Sequence, residues 1–220
     1  MNYFITGTDT GVGKTLISCA LLHAFAAQRK RVVGMKPVAA GCGEDGNNAD
    51  VTALCAASTV AADIRLVNPY VFADAIAPHI AARAAGVTIE FEPILAAYRA
   101  LAGRADIVVV EGVGGFKVPL NERQDSAQLA QQLNLPVILV AGMRLGCLNH
   151  TLLTIEAIQA CGLVCAGWVA NVVDSRMAAL TENIEALQQR ITAPLLGVVP
   201  YQAQPDARVV ALQLHVEVMG

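Results

Sequence analysis

Apolar residues along this chain fall mainly into short continuous runs, and segments with helical periodicity separate these runs. Two clear examples are residues 106–110 (DIVVV) and residues 136–140 (PVILV). Continuous runs, unlike alternating apolar and polar residues, predict strands that are buried on both faces, as in parallel sheets covered by helices. The order of strand, loop and helix repeats several times. It therefore predicts an α/β fold, doubly wound and with right-handed crossovers.

The same pattern predicts the individual elements. Residues 39–48 are rich in small residues and are expected to form a loop, and Asn68-Pro69 and Ala77-Pro78 are expected to form turns. No linker or internal repeat interrupts the pattern, so one domain over residues 1–220 is expected. The predicted strands are residues 3–6, 31–36, 106–110, 136–140, 163–170 and 195–199, and the predicted helices are residues 15–27, 50–57, 79–85, 93–101, 124–133, 148–160 and 177–189.

Composition decides which partners to expect. The chain is 55% hydrophobic with a mean hydropathy of +0.51, but no apolar run approaches the ~20 residues that cross a bilayer. A net charge of −3 without a basic tract argues against nucleic acid. The six cysteines are scattered and form no CxxC pair, which favours reduced thiols over a disulfide framework or a zinc site. With no signal peptide visible at the N-terminus, a cytoplasmic protein is expected.

A glycine-rich loop follows the first predicted strand. Residues 7–15 read GTDTGVGKT and run into the first predicted helix. Glycines allow backbone N–H groups to face an anion, Lys14 would reach the β- and γ-phosphates, and the Thr15 hydroxyl would bind Mg²⁺. The spacer before Gly-Lys-Thr has five residues instead of the usual four. The alternative is a chance glycine turn that caps a helix. The position of the motif between a predicted strand and a predicted helix argues against this alternative.

Charged residues follow two further strands. Lys36 ends the second strand, and Pro37 restricts its backbone to an extended conformation. A second cation opposite Lys14 suits phosphoryl transfer, whereas the alternative is a solvated surface lysine. Glu111 follows residues 106–110, where P-loop proteins place a magnesium-binding acid. Asp50 is a second candidate, although an acid in the first turn of a helix also has a structural explanation.

The ends of the later strands carry weaker signals. Residues 141–150 form a loop that leads into a helix N-terminus, a natural site for a carboxylate or phosphate. Cys147 and His150 within it could indicate thiol catalysis, but nothing else supports a nucleophile. Asn171 could bind a base edge or simply form a turn, and Tyr201 could flank a base. The glycines of residues 112–115 could allow close approach to a ligand or form a flexible turn.

Taken together, these motifs resemble the ATP-dependent dethiobiotin synthetase family, and the resemblance covers residues 2 to about 202. The five-residue spacer of the glycine loop is itself a feature of that family. The segments that carry the resemblance are residues 7–15 (GTDTGVGKT), 36–39 (KPVA), 110–115 (VEGVGG), 145–150 (LGCLNH), 167–171 (GWVAN) and 195–200 (LLGVVP).

The resemblance implies a homodimer of P-loop domains, each with a mainly parallel seven-stranded sheet and helices on both faces. It implies 7,8-diaminopelargonic acid (7,8-diaminononanoate) as substrate, with CO₂ and MgATP. The reaction would proceed through an N-carbamate and a carbamic–phosphoric anhydride to dethiobiotin, ADP and phosphate, with active sites at the subunit interface. A long apolar substrate that ends in a carboxylate suits an apolar groove that ends at a helix N-terminus.

The resemblance also implies a role for each matching residue. Catalysis would depend on Lys14 and Lys36, and the metal ligands would be Thr15, Asp50 and Glu111. Substrate would contact Thr10, Lys36, Ala40 and the partner subunit's Gly146, Cys147, Leu148 and Asn149. ATP would contact Gly11, Val12, Gly13, Lys14, Thr15, Leu16, Asp50, Glu111, Gly112, Val113, Gly114, Asn171, Val172, Pro200, Tyr201 and Gln202.

This chain departs from the family pattern at three of these positions. Gly11 replaces a glutamate of a familiar member, Ala40 replaces a serine whose hydroxyl would contact substrate, and Val172 stands where an aspartate often follows the asparagine. The departures affect neither the lysines nor the expected metal ligands. They leave nucleotide preference and the serine hydrogen bond open.

Two other function classes fit parts of the pattern. Other P-loop ligases usually carry a glutaminase domain, for which this chain has no room. Switch ATPases similar to MinD and ParA carry a signature lysine early in the loop, where this chain has Asp9. Such switches also often carry a membrane-binding tail, whereas residues 207–220 here contain Arg208 as their single cation. Residues 204–220 could instead complete the nucleotide site or cover the edge of the sheet.

Overall fold

The computed structural model describes residues 1–43 and 46–218. A six-stranded sheet forms its centre, in the strand order β2-β5-β1-β6-β7-β8, and every pairing is parallel. Its strands are β1 (Tyr3–Gly7), β2 (Val32–Met35), β5 (Ile107–Glu111), β6 (Val137–Met143), β7 (Cys165–Val172) and β8 (Leu195–Val199). The predicted doubly wound α/β fold is confirmed.

The main sheet has six strands rather than the seven implied by the family resemblance. Two short strands, β3 (Val38–Ala40) and β4 (Tyr70–Phe72), pair in parallel with each other as a separate sheet. The prediction of a loop at residues 39–48 is therefore wrong at its start, and β4 was not predicted. Both segments are too short for a periodicity to appear, and pairing between residues 32 positions apart, such as Val38 and Tyr70, decides their conformation. Residues 44–45 of the predicted loop lie outside the described residues.

Helices cover both faces of the sheet. Their bounds are α1 (Lys14–Ala27), α2 (Ala49–Ala57), α3 (Ile64–Val67), α4 (Pro78–Ala84), α5 (Phe91–Ala102), α6 (Ser126–Leu133), α7 (Cys147–Ala160), α8 (Leu180–Gln188) and α9 (Ala207–Ala211). Strand β5 shows how both faces are buried. Val108 and Val110 join the core beneath α5 and α6, whereas Ile107 and Val109 join the core beneath α1 and α2.

Local capping explains where two of the helices begin. Asn48 accepts hydrogen bonds from the backbone N–H groups of Asp50 and Val51, so α2 begins with Asp50 in its first turn. Asp125 and Gln128 form a capping box, and α6 therefore begins at Ser126 rather than at the predicted residue 124.

The C-terminal segment covers the outer edge of the sheet. His215 donates its backbone N–H to the Leu196 carbonyl of β8 at 2.8 Å, and Val210 of α9 is buried in the core that α1 covers. A 3-10 helix (Val216–Val218) ends the described chain, and residues 219–220 of the segment lie outside it. Across the described residues, no helix is long and apolar enough to cross a bilayer.

Candidate active site

The glycine-rich loop joins β1 to α1 at the carboxyl end of the sheet. Gly11 and Gly13 adopt φ values of 73° and 90°, which favour glycine. A Cβ at Gly13 would lie 2.2 Å from Asn171 Nδ2, so a side chain cannot fit there. Gly11 has open space around it, and a residue with a side chain at this position would have to accept the left-handed conformation.

Lys14 begins α1 and is almost fully buried, with 7% of its surface exposed. Its Nζ donates to the Asp9 carbonyl oxygen at 2.9 Å. Burial, followed by repulsion from the nearby Lys36, lowers the pKa of Lys14 to about 8, although the neighbouring carboxylates act in the opposite direction. This lysine therefore lies inside the loop rather than in solvent, with its ammonium at the sheet edge.

Thr15, Asp50 and Glu111 come together beside Lys14. Thr15 Oγ1 lies 2.8 Å from Asp50 Oδ1 and 2.8 Å from Glu111 Oε1. The three side chains arrive from α1, from the first turn of α2 and from the end of β5. The set that was predicted to hold a metal is thus assembled at one point of the sheet edge.

Lys36 joins the same cluster. Its Nζ lies 2.9 Å from Asp50 Oδ2, contacts Glu111 Oε1, and donates to the Gly112 carbonyl oxygen at 3.3 Å. Only 4% of its surface is exposed, so the alternative of a solvated surface lysine is wrong. Burial by itself would lower the pKa of Lys36, but Glu111 and Asp50 outweigh it and hold the pKa above its ordinary value. Lys36 therefore remains charged.

The carboxylates respond in a matching way. Burial by itself would raise the pKa of Asp50, but Lys36, Thr15 and Lys14 together hold that pKa below its ordinary value. Glu111 is fully buried, and its Oε2 has no hydrogen-bond partner. A buried oxygen without a partner, next to a hydroxyl and a second carboxylate, provides the donor set that Mg²⁺ takes.

The residues therefore fit a magnesium ion held by few protein ligands. Within residues 1–43 and 46–218, no group of three or more His, Cys, Asp or Glu side chains gathers as a metal cluster. Magnesium does not require one, because it is usually held by one or two carboxylates together with phosphate oxygens and water.

Residues that follow Glu111 approach the glycine loop. Gly112 packs against Phe4, where a Cβ would lie 3.1 Å from the ring, and its N–H donates to the Ile5 carbonyl. Gly114 adopts a φ of 63°, and a Cβ there would lie 3.5 Å from Thr10 Oγ1. Thr10 and Gly114 are thus neighbours, and Val113 is half-buried between Gly112 and Gly114.

The candidate base site lies at the ends of β7 and β8. Asn171 is buried and donates its side-chain amide to the Val12 carbonyl at 2.8 Å. The strand register places Asn171 beside Val199. The residues that follow Val199, from Pro200 to Gln202, were predicted to hold adenine: Tyr201 is 51% exposed, Pro200 is exposed and Gln202 is half-buried. Two further residues predicted to contact ATP are Val172, which is buried, and Leu16, which is half-buried in α1.

The start of α7 differs from the cluster around Lys36 because it is open. Gly146 adopts a φ of 93° and precedes the helix, whereas Leu145 is 95% exposed and Asn149 is exposed. Cys147 is buried, and burial raises the pKa of its thiol, which argues against thiol catalysis. Leu148 is half-buried. The structure brings this segment near the glycine loop but leaves its surface exposed.

Two residues near the site were missed by sequence reasoning. Asn68 was marked only as part of a turn, yet its buried side chain donates to the Lys36 carbonyl at 2.6 Å and to the Tyr70 carbonyl at 2.9 Å. It therefore supports the backbone of Lys36 and the start of β4. Arg144 was quoted without a role, and its guanidinium pairs with Asp9. No signal in the local pattern distinguishes Asn68 or Arg144.

Ala40, which was predicted to contact substrate, is half-buried in β3.

A large cavity lies elsewhere. It has a volume of about 930 Å³ and is bounded by α4, by residues 86–90 and by the loop before α6, and it includes His79, Arg83 and Arg123. None of the predicted site residues lines it. The chemistry of the strand ends, rather than cavity size, therefore marks the candidate active site.

The fold and the strand-end cluster define a P-loop nucleotide-binding protein. The family model described as "AAA domain" matches residues 1–208. Among solved structures, MinD complexed with Mg-ADP from Pyrococcus horikoshii OT3 is similar at a TM-score of 0.56 and 16% identity, covering 99% of this chain and 89% of that chain. The MinC:MinD complex of Aquifex aeolicus has a TM-score of 0.55, again at 16% identity, covering 92% of this chain and 82% of that chain. At these identities the likeness concerns the fold alone.

Similarity to curated relatives is much closer. The chain is 55% identical over 218 residues to the ATP-dependent dethiobiotin synthetase BioD of Nitrosospira multiformis, covering 99% of this chain and 96% of that protein. It is 52% identical to the protein of the same name from Aromatoleum aromaticum, covering 97% and 96%. The chain belongs to the ATP-dependent dethiobiotin synthetase family. It is thus an ATP-dependent enzyme of the cyclo-ligase class, and the resemblance found in the sequence is confirmed.

Proposed function

We propose that this chain converts 7,8-diaminopelargonic acid, CO₂ and ATP into dethiobiotin, ADP and phosphate in biotin biosynthesis. The observation that supports this most strongly is the burial of Lys14 and Lys36 at one edge of the sheet, beside Thr15 and two carboxylates. Positive charge fixed in a site that excludes water stabilises charge that develops during phosphoryl transfer.

The proposed reaction has three steps. An amine nitrogen of the substrate attacks the carbon of CO₂, releases a proton and becomes a carbamate. A carbamate oxygen then attacks the γ-phosphorus of ATP, the bond to the bridging oxygen breaks, and ADP leaves with that electron pair. The second amine attacks the carbamoyl carbon, the bond to the phosphate oxygen breaks, and the five-membered ring closes with release of phosphate and a proton.

Lys14 and Lys36 have distinct roles in this proposal. Lys14 stabilises the γ-phosphoryl group from the glycine loop, and Lys36 stabilises the carbamate and the phosphoryl oxygens that it attacks. Gly11 to Leu16 wrap the phosphates with backbone N–H groups. The base is held at the ends of β7 and β8 by Asn171, Val172 and the stretch from Pro200 to Gln202.

Thr15, Asp50 and Glu111 would hold Mg²⁺, and the glycines after Glu111 would lie along the nucleotide. When bound, the ion supplies neutralisation of charge on the β- and γ-phosphate oxygens. The unpartnered Glu111 Oε2 supports this assignment.

The substrate would lie between two copies of the chain. Thr10, Lys36 and Ala40 would surround its amines, and the α7 start of a second copy (Gly146 to Asn149) would hold its carboxylate through backbone N–H groups. The exposed Leu145 and the 56% exposed Leu153 on α7 support an apolar contact there. The proposal is therefore a homodimer in which each active site uses both subunits.

The decisive experiment measures ADP release by purified protein. We expect release when the diamine and bicarbonate are both supplied, with a product of the mass of dethiobiotin. Omission of either compound should abolish release. Release of ADP that is indifferent to the diamine would contradict the proposal and would favour the alternative of a switch ATPase similar to MinD and ParA.

The dimer is tested separately with Leu153→Asp, which places a charge on the exposed face of α7. We expect a monomer in analytical ultracentrifugation that still binds ATP but has lost turnover. The matched control is Leu212→Asp, a similar change at an 88% exposed leucine beyond α9. A fully active Leu153→Asp monomer would overturn the shared site.

A further inference from the structure

The glycine-rich loop is attached to the end of β6 as well as to its own strand. Thr8 donates its backbone N–H to the Val140 carbonyl at 3.0 Å, and its hydroxyl accepts the Gly142 N–H at 3.2 Å. Val12 packs against Gly142 so closely that a Cβ there would lie 2.6 Å from Val12 Cγ1. We therefore expect a displacement of the glycine-rich loop to change the hydrogen bonding and packing at the end of β6.

Asp9 and Arg144 extend this attachment to α7. The Asp9 carbonyl oxygen accepts Lys14 Nζ at 2.9 Å, and its carboxylate accepts the Thr10 N–H at 2.7 Å and Arg144 Nη2 at 2.5 Å. The Arg144 carbonyl oxygen in turn accepts the N–H of Cys147, the first residue of α7, at 3.0 Å. One continuous chain of polar contacts thus runs from Lys14 to the start of α7.

We infer that Asp9 and Arg144 are positioning residues that couple occupancy of the phosphate site to the conformation of the α7 start. Phosphate oxygens would compete with the Asp9 carbonyl for Lys14 Nζ, so a nucleotide would change the hydrogen bonding of Asp9. Asp9 transmits this change through its carboxylate to Arg144, whose backbone carbonyl holds the first turn of α7. A binding energy shared between two sites in this way must act equally in both directions.

The inference rests on the proposed function in one respect, because the α7 start would hold the substrate carboxylate. Both linked segments belong to the same chain, whereas that carboxylate would belong to the site of the second copy. The Asp9–Arg144 pair would therefore let ATP in one subunit prepare the diamine site of the other. The paired side chains are 49% and 41% exposed, so their effect is expected in binding rather than in folding.

The first test uses hydrogen exchange of the full-length protein with and without the non-hydrolysable ATP analogue adenylyl-imidodiphosphate and Mg²⁺. We expect the analogue to slow exchange of backbone amides in residues 144–150 of the wild type. Arg144→Met and Asp9→Asn should reduce that response, and Arg144→Lys should restore part of it. An equal response in wild type and Arg144→Met, each saturated with the analogue, would overturn the inference, as would no response in the wild type.

The second test measures the dissociation constant of the diamine with and without the analogue, and that of the analogue with and without the diamine. We expect the same enhancement in both directions, about two- to fivefold, and its loss in Arg144→Met. Arg31→Met removes another exposed Arg–Asp pair, far from the loop, and should keep the full enhancement. An Arg144→Met protein that keeps it as well would contradict the inference.

The two tests separate the coupling from the proposed function. If the wild type bound no diamine under any condition, the proposed function would fail. The hydrogen-exchange comparison requires no diamine and would still decide whether Asp9 and Arg144 link the phosphate site to α7.

Discussion

The strand pair β2–β5 carries one ion pair at each end, and the two ion pairs lie in opposite environments. At the amino end, Arg31 Nη2 lies 2.8 Å from Asp106 Oδ1, and these side chains are 65% and 39% exposed. At the carboxyl end, Lys36 contacts Glu111, and these side chains are 4% and 0% exposed. The two strands, their parallel pairing and the signs of the charges are the same at both ends.

The difference teaches what each ion pair is for. An exposed pair is solvated and contributes little to stability, so Arg31 and Asp106 simply join the starts of two strands. A buried pair must compensate the desolvation of both charges, and apolar residues of similar volume would often be as stable. Stability is therefore a poor explanation for Lys36 and Glu111, and a function at the phosphate site is a better one.

The largest effect is expected from Lys36→Met. Loss of the ammonium should lower turnover by about 10²–10³-fold, since a fixed charge at the reacting group is removed. It should also lower the free energy of unfolding by about 3–5 kcal/mol, because the fully buried Glu111 would lose its cationic partner and keep only the Thr15 hydroxyl. ADP release in the presence of diamine and bicarbonate measures the first change, and urea denaturation measures the second.

A double variant separates these two effects. Lys36→Met combined with Glu111→Gln removes both charges, so much of the lost stability should return while turnover stays low. Recovery of turnover in the double variant would show that the lysine serves mainly to neutralise Glu111. Near-normal turnover in Lys36→Met alone would remove Lys36 from catalysis altogether.

A smaller effect is expected from Asn68→Ala. The buried Lys36 carbonyl and the part-buried Tyr70 carbonyl would lose their donor, which should lower the free energy of unfolding by about 1–3 kcal/mol. Turnover should fall by about tenfold, because the backbone that carries Lys36 would lose its support. Asn121 is a matched control, since its amide donates to the Ile89 carbonyl far from the cluster. Asn121→Ala should lose stability but keep turnover, and an equal loss of turnover in both variants would contradict the role of Asn68.

The smallest effect is expected from Asp106→Asn at the exposed end. Its hydrogen bonds with Arg31 lower the pKa of Asp106 to about 2 from an ordinary value of 3.8. A lowered carboxyl pKa stabilises the folded state above pH 4, and this contribution disappears as the pH falls through about 2. We therefore expect unchanged turnover and a slightly lower urea midpoint at pH 7, with the difference shrinking below pH 4. A difference that grew on acidification, or a large loss of turnover, would contradict this view of the pair.

Much of the fold could be predicted because the evidence for it is local. Runs such as residues 106–110 are buried on both faces, and the structure confirms this for Val108 and Val109. The short strands β3 and β4 were not predictable, since neither has a periodicity of its own and each exists through the other. The main sheet has six strands rather than the seven implied by the family resemblance, and β3 and β4 form a separate pair instead of extending it.

The candidate site likewise contains some residues that the sequence identifies and others that it does not. Gly13, Lys14 and Thr15 lie in a motif that can be recognised from adjacent residues, and Glu111 follows a strand whose end is visible in the sequence. Asn68 and Arg144 have no such motif. Asn68 meets Lys36 across 32 positions and Arg144 meets Asp9 across 135, so their contacts depend on how strands and loops pack.

The order and spacing of residues were enough to establish the α/β class, the phosphate loop and the family, because all three depend on neighbours along the chain. Burial and charge pairing were decided by the tertiary structure. Lys36 and Glu111 are 75 positions apart, and parallel pairing of β2 with β5 brings them into contact inside the protein. The same pairing leaves Arg31 and Asp106 in solvent at the other end, because the cores that bury the strand interiors do not extend over that edge of the sheet.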